Sequence, residues 1–238
     1  MKQVPIINGS ETQGIDAILW VGWADQDYIA ARILLLRGLA VQGAALANTA
    51  IEKYLKAICA LSGIPYGGVD HDVSRLNGLL YSRGVRLELN PKFLRFLNKS
   101  YKLRYPDDLG SGFNIALNST AILVEMDLTV EKIRRGFVFR RNGQVIETKL
   151  DAMKKTHSAE LLTNNCAVGG ATKEQLFAQP SWAYDLRVLD NSTIFEFSYA
   201  VEKLSDDNNF ERAGFRPVPG SEGRSSSLAW LPWQEKHA

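Results

Sequence analysis

The stretch AALANTAIEKYLKAICAL, Ala44 to Leu61, decides the fold. Leu46, Ala50, Ile51, Tyr54, Leu55, Ile58 and Leu61 recur at steps of three and four, which is a helical and not a strand period. The length gives a helix of about five turns. Glu52, Lys53 and Lys56 fall on the polar side, and Glu52 stands one turn before Lys56, the favourable order for an ion pair along a helix. Ala44, Ala45, Ala47, Ala50 and Ala57 are small enough for neighbouring helices to approach closely. The stretch therefore reads as the centre of a helical bundle.

Working outward, a first helix is expected from Ile15 to Arg37, with Trp20, Trp23, Asp27, Ala30, Ala31, Leu34 and Leu35 near helical spacing and Gly38 as its stop. Gly63 and Pro65 end the central helix, and Tyr66 to Val69 is a loop. A short third helix starts at Asp70 or Asp72, buries Val73, Leu76, Leu79 and Leu80, and closes at Gly84. The fourth has Asn90 as its cap and Pro91 at its first position, and runs to about Leu103, with Phe93, Leu94, Phe96, Leu97 and Tyr101 apolar. Pro106 forbids simple continuation, so Tyr105 to Gly112 is a loop. A fifth helix is expected from Asn118 or Ser119 to about Gly136.

After Gly136 the texture changes. Asn142-Gly143 between two β-prone runs is a hairpin signal, because both turn residues need positive φ. Asp151 to Leu162 suits another helix, and Thr172 to Gln175 a capping box that opens a short one ended by Pro180. Tyr184 to Asp190 and Thr193 to Val201 alternate across an Asn-Ser turn, a second hairpin. From Ser205 the chain is loop-like, but Leu228 to Trp233 (LAWLPW) is too apolar to stay in water and is expected to dock on the body or on a partner. The expected architecture is mainly α. An antiparallel up-and-down bundle of four or five helices spans 15–136, and a small α+β extension with β-hairpins and a loop-rich tail spans 137–238.

The bulk composition agrees with an ordinary water-exposed globular chain. Forty-five per cent of the 238 residues are hydrophobic, 23% are charged, and the net charge is +2, so no strong overall field marks a nucleic-acid binder. Cys59 and Cys166 are far apart, which suits a reducing compartment without a disulfide framework. The N-terminal MKQVPIINGS has no apolar core of signal-peptide length, and nothing downstream is long enough to span a bilayer. The expectation is a cytoplasmic protein that does not enter a membrane.

Chemistry has few candidate positions. Seven basic residues stand between Arg83 and Arg104 against one acid, Glu88. Lys92, Arg95, Lys99 and Lys102 step by three, four and three, one cationic stripe opposite the aromatic face of the fourth helix. Such a stripe can meet phosphates of a nucleotide or RNA; the plain alternative is a solvated helix face. His71 lies between Asp70 and Asp72, either an acid–base or phosphate-contacting group or a first-turn residue that packs or caps. Asp107-Asp108 and Asp206-Asp207 suit turns rather than a cation site. No metal-ligand spacing, no cofactor-binding glycine motif and no nucleophile with its base is present.

Together, AIEKYLKA at Ala50 to Ala57, HDV at His71 to Val73, YKLRYPDD at Tyr101 to Asp108, and Ala31 to Leu35 of the first helix resemble the HEPN superfamily, the higher eukaryotes and prokaryotes nucleotide-binding domain. The resemblance covers about residues 20–135. It implies a helical bundle, a homodimer, and in bacterial members work beside a nucleotidyltransferase-type partner in toxin–antitoxin or defence systems. Many members are metal-independent RNases with an Arg followed by His after four to six intervening residues. This sequence departs from that pattern: the corresponding positions after Arg104 are Leu109, Gly110 and Ser111. By analogy, Lys53, Lys56, His71, Arg104, Tyr105 and Asp107 carry over as a ligand site, joined by Arg95 and Lys99 of the stripe. Three readings stay open. The first is a non-catalytic module for a nucleotide, RNA or a protein partner. The second is an RNase with a non-standard site such as His71 with Arg104. The third is a pure protein-interaction component docking through Trp230 and Trp233.

Overall fold

The computed structural model describes residues 10–69, 71–135, 138–141, 144–189, 193–204, 215–217 and 230–232. Helix α1, Glu11–Leu36, begins one turn earlier than the apolar spacing suggests, because Ser10 and Gln13 form a reciprocal capping box. Gly38, at φ 77°, turns the chain into α2, Ala40–Leu61. Gly43 allows the tight return: a Cβ there would lie 2.6 Å from Leu35 Cγ. Asp72 caps α3, Val73–Ser82, through the Arg75 amide. Asn90 caps α4, Pro91–Tyr101. That helix tightens into a 3-10 turn at Lys102–Arg104 rather than running on to Leu103, and a second such turn covers Pro106–Asp108. Asn118 caps α5, Ser119–Arg134.

The helices bury one another's apolar stripes. Val21, Leu35, Ile51, Tyr54, Leu76, Phe93 and Ile122 belong to one core cluster. Cys59 sits in it, fully buried, as a small core residue. The same cluster takes in Phe139, Leu150, Leu161, Leu186 and Val188, so apolar packing continues past residue 136.

Beyond α5, β2 (Arg140–Arg141) and β3 (Gln144–Val145) pair antiparallel in the register expected of the hairpin, whose turn residues Asn142 and Gly143 lie outside the described residues. The single helix expected from Asp151 to Leu162 is two, α6 (Lys149–Lys155) and α7 (Ala159–Leu162), broken where His157 takes φ 53°. The Thr172–Gln175 capping box opens α8, Lys173–Phe177.

A three-stranded antiparallel sheet has the order β1-β4-β5, from Asn114–Asn118, Ser181–Val188 and Ile194–Val201. β4 and β5 are the second expected hairpin. β1 was not expected: NIALN is too short to show a period, and four of its five residues are buried, so no alternation marks it. Through β1 the sheet joins the C-terminal hairpin to the segment just before α5. In the tail, Phe215–Pro217 (β6) pairs with Trp230–Pro232 (β7); the rest of LAWLPW lies outside the described residues. Among the described residues no helix is long and apolar enough to cross a membrane.

A sealed polar network ties the C-terminal segments to α1 and α5. Arg32 is ion-paired to Asp127, and its guanidinium also donates to the Glu160 and Thr163 carbonyls at 3.0 and 2.5 Å. Tyr28 donates to Asp127 at 2.7 Å, and Asn165 donates to the Tyr28 hydroxyl at 3.2 Å. Nearby, Asp25 accepts from Tyr54 at 2.6 Å and from the Leu150 amide in the first turn of α6 at 2.9 Å. Burial pushes the Asp127 carboxyl up to about 6, against the opposing pull of Arg32 and Tyr28.

Candidate functional site: a buried glutamate under exposed rings and cations

Helix α2 sets Asn48, Glu52 and Lys56 in one row, each four residues from the next. Glu52 is not on the wet side, as its charge and spacing suggested; it is only 3% exposed. Its pairing with Lys56 does form, at 2.6 Å, and its second oxygen lies 2.9 Å from His71 Nδ1. A buried carboxylate needs such partners, and here both come from the surface side.

His71 is held from three directions. Its backbone stands at φ 52°, and Asn48 Nδ2 donates to its carbonyl at 3.5 Å. Asn98 of α4 donates to Asp72 at 2.7 Å and accepts from the Val73 amide at 2.9 Å, fixing the start of α3 and with it the histidine. The imidazole stacks on the Tyr101 ring, with 4.5 Å between centroids and 22° between planes, while about half of its side chain faces solvent.

Tyr101 passes the arrangement on to the 3-10 turn. Arg104 donates to the Tyr101 hydroxyl at 2.9 Å, and its guanidinium stands 5.0 Å from the Tyr101 ring centroid and 5.7 Å from that of Tyr105. Burial raises the Tyr101 hydroxyl's pKa, and Arg104 opposes it. On the other flank, Lys56 lies 5.4 Å from the Trp20 ring, and Trp20 Nε1 donates to the Tyr66 hydroxyl at 3.0 Å.

Four of the residues carried over from the sequence thus meet in one contact chain: Lys56, His71, Arg104 and Tyr105. Asp107 is exposed in the adjoining turn. Lys53 turns instead to Asp27, at 2.5 Å. Lys99 reaches the other way, to Asn114 Oδ1 of β1 at 3.2 Å and over Phe113 at 5.5 Å, and Arg95 is exposed one turn before it on α4. Burial and the like charge of Lys102 lower the Lys99 pKa, with Asp185 opposing. Lys102 itself belongs to the 3-10 turn, so the stripe is not carried by one helix face.

Sequence reasoning missed Glu52 and Tyr101 as members of the site. The Glu52 signal was its place between Asn48 and Lys56 on a helix otherwise apolar or small on that side. Tyr101 was assigned to the apolar face of α4, and its ring does stack, but on a histidine 30 residues away.

Fold and site together define a helical-bundle domain with an exposed cation–aromatic surface set over a buried carboxylate. Residues 17–124 match the HEPN domain family, and the chain carries a HEPN domain over that segment. Neither the curated proteins nor the solved structures contain a match to this chain.

Proposed function

We propose that the HEPN domain is a binding module for a nucleotide or for RNA, holding a phosphate at Arg104 beside His71 and a base against the exposed Tyr105 ring. The observation that carries this is the contact chain from Glu52 through His71 and Tyr101 to Arg104. Guanidinium and imidazole donors suit phosphate oxygens, and an exposed tyrosine face suits a base. Arg104 spends one N–H on Tyr101 and has others to offer. Lys56 is engaged by Glu52, so it contributes shape and local balance more than free charge.

Fluorescence-labelled ATP and a short single-stranded RNA test the reading. Binding is expected to weaken as salt rises and to be lost in Arg104→Ala with His71→Ala. No binding by the folded protein, or equal binding by the double variant, overturns it.

One observation favours a second reading, an RNase with a non-standard site. A histidine oriented by a buried carboxylate, with a cation one ring away, is an arrangement for proton transfer beside a phosphate. The histidine would take or give the proton, and Arg104 would face the phosphate charge. RNA left intact by folded protein removes this option; cleavage that disappears in His71→Ala establishes it. A bacterial toxin–antitoxin or defence setting with a nucleotidyltransferase-type partner rests on HEPN membership alone, and co-purification from the native host tests it.

A further inference from the structure

Helix α3 leads away from the candidate site with an outer face that the site does not use. His71 stands just before its cap, and Arg75, Gly78 and Ser82 follow at steps of four, three and four, with Tyr81 beside Ser82. All are exposed. From Val73 to Leu87 the chain holds three arginines, Arg75, Arg83 and Arg86, and no acid. At the far end of the face Tyr81 is 59% exposed, and the Arg86 guanidinium lies 5.2 Å from its ring centroid. Arg104 and Tyr105 make the same kind of pair beside the near end. An exposed ring suits a base, and the guanidinium next to it suits that nucleotide's phosphate.

Gly78 lies between the two ends. A glycine inside a helix lowers stability relative to alanine, and here no atom stands within 4 Å of where a Cβ would be. Packing therefore does not demand the small residue. Its bare backbone lets a ligand pass close to the helix. The ten residues of α3 give it a length of about 15 Å. A mononucleotide cannot reach from one pair to the other, whereas single-strand sites begin at about four nucleotides.

We propose that Tyr81 and Arg86 form a second subsite, so that the domain takes a single-stranded polynucleotide and not a mononucleotide. One nucleotide sits at Arg104 and Tyr105, the strand follows α3 past Arg75 and over Gly78, and a further base stacks on Tyr81 with its phosphate at Arg86. The repeated pairing of cation and ring chooses the ligand: an acidic peptide would meet the arginines but would bring no row of planar groups to the rings. This rests on the reading of Arg104 as a nucleotide site, and it adds the length and the path of the ligand.

Fluorescence anisotropy of the full chain tests it, with labelled ATP and with adenylate dimers, tetramers and hexamers in ribose and deoxyribose form. Affinity should rise about tenfold or more from ATP to the hexamer and level off near four nucleotides. The more tightly bound sugar form names the strand as RNA or DNA. Tyr81→Ala with Arg86→Ala should remove the gain with length and leave ATP binding within about twofold. Gly78→Glu replaces glycine with a better helix former, so it should raise the melting temperature while weakening the hexamer and sparing ATP. A hexamer bound no more tightly than ATP in both sugar forms overturns the proposal and leaves the Arg104 site standing. So does a length effect indifferent to Tyr81, Arg86 and Gly78. A hexamer that needs Tyr81 and Arg86 but neither Arg104 nor His71 keeps the α3 subsite and overturns the reading of Arg104. No binding of any probe by the folded protein overturns both.

Discussion

Glu52 and Asp127 are both acids sunk in a helical bundle, 3% and 1% exposed. Their surroundings differ in one respect. Arg32 and Tyr28 meet Asp127 inside the core, and Arg32 spends two further donors on backbone carbonyls of the C-terminal segments. The partners of Glu52 reach outward, and the chain of contacts from it ends on a half-exposed imidazole and an exposed guanidinium. Burial alone therefore does not mark a functional acid. A closed network fastens segments together, whereas a network with one end in water can present donors to a ligand.

The sharpest way to break that contrast is to cut the closed network. Asp127→Ala leaves the Arg32 guanidinium buried without its counter-ion and should cost ~3–5 kcal/mol, a large part of the stability of a domain this size. Urea unfolding measures it. Replacing both partners, Arg32→Met with Asp127→Leu, should recover most of the loss, because the apolar pair leaves no stranded charge. A shift of less than ~1 kcal/mol for Asp127→Ala would mean that the network does not fasten the fold.

The pH dependence of the same group sharpens the comparison. Asp127 has a pKa raised from 3.8 to about 6 in the folded protein, so the folded state holds the proton more tightly than the unfolded chain. Its contribution to stability is full below about pH 4 and is lost as pH rises through about 6. Relative to Asp127→Asn, which does not titrate, the wild type should lose stability across that window. A difference that stays flat from pH 4 to 7 refutes the assignment.

At the open network the balance reverses. Arg104→Ala should leave the melting temperature almost unchanged and weaken ligand binding roughly tenfold, the size expected for one charge-assisted contact to phosphate. It should also lower the slope of log affinity against log salt by about one. A variant that unfolds instead would place Arg104 with the fasteners.

What could be read from the chain follows the range of the interactions. Capping depends on residues three apart, so Asn90 and Thr172 announced their helices, and Asp72 and Asn118 were each one of two nearby starts the sequence offered. The central helix was visible because its period repeats over many turns; its first turn, Ala40–Gly43, was missed because Leu39 makes no side-chain cap. Glu52 looked solvent-facing because its long-range partner, His71, comes from outside the helix, which a helical period cannot show. Trp23 counted among the apolar residues of the first helix, yet it faces outward, since spacing tells which residues share a face and not what covers that face. Lys56, His71, Arg104 and Tyr105 were carried over as candidates through the HEPN-like segments, and the structure brings them into one contact chain. The Tyr101 stack that joins two of them needed the packing of α4 on α3.

The smallest effect belongs to Lys53, which pairs outside the contact chain from Glu52 to Arg104. Lys53 and Asp27 form an ion pair across α1 and α2 at 2.5 Å, with both side chains only partly covered. Water screens such a pair, and ordering two flexible side chains offsets much of the attraction, so Lys53→Ala should cost only ~0.2–1 kcal/mol in urea unfolding. Its effect on ligand affinity should stay within about twofold, because the ammonium is already neutralised by Asp27 and is not a member of the chain from Glu52 to Arg104. Asp27→Ala sets the control: it frees the Lys53 ammonium without touching the Glu52 network. If Lys53→Ala lowers affinity as far as Arg104→Ala does, the boundary drawn between the open network and its neighbours is in the wrong place, and the ligand extends across α1.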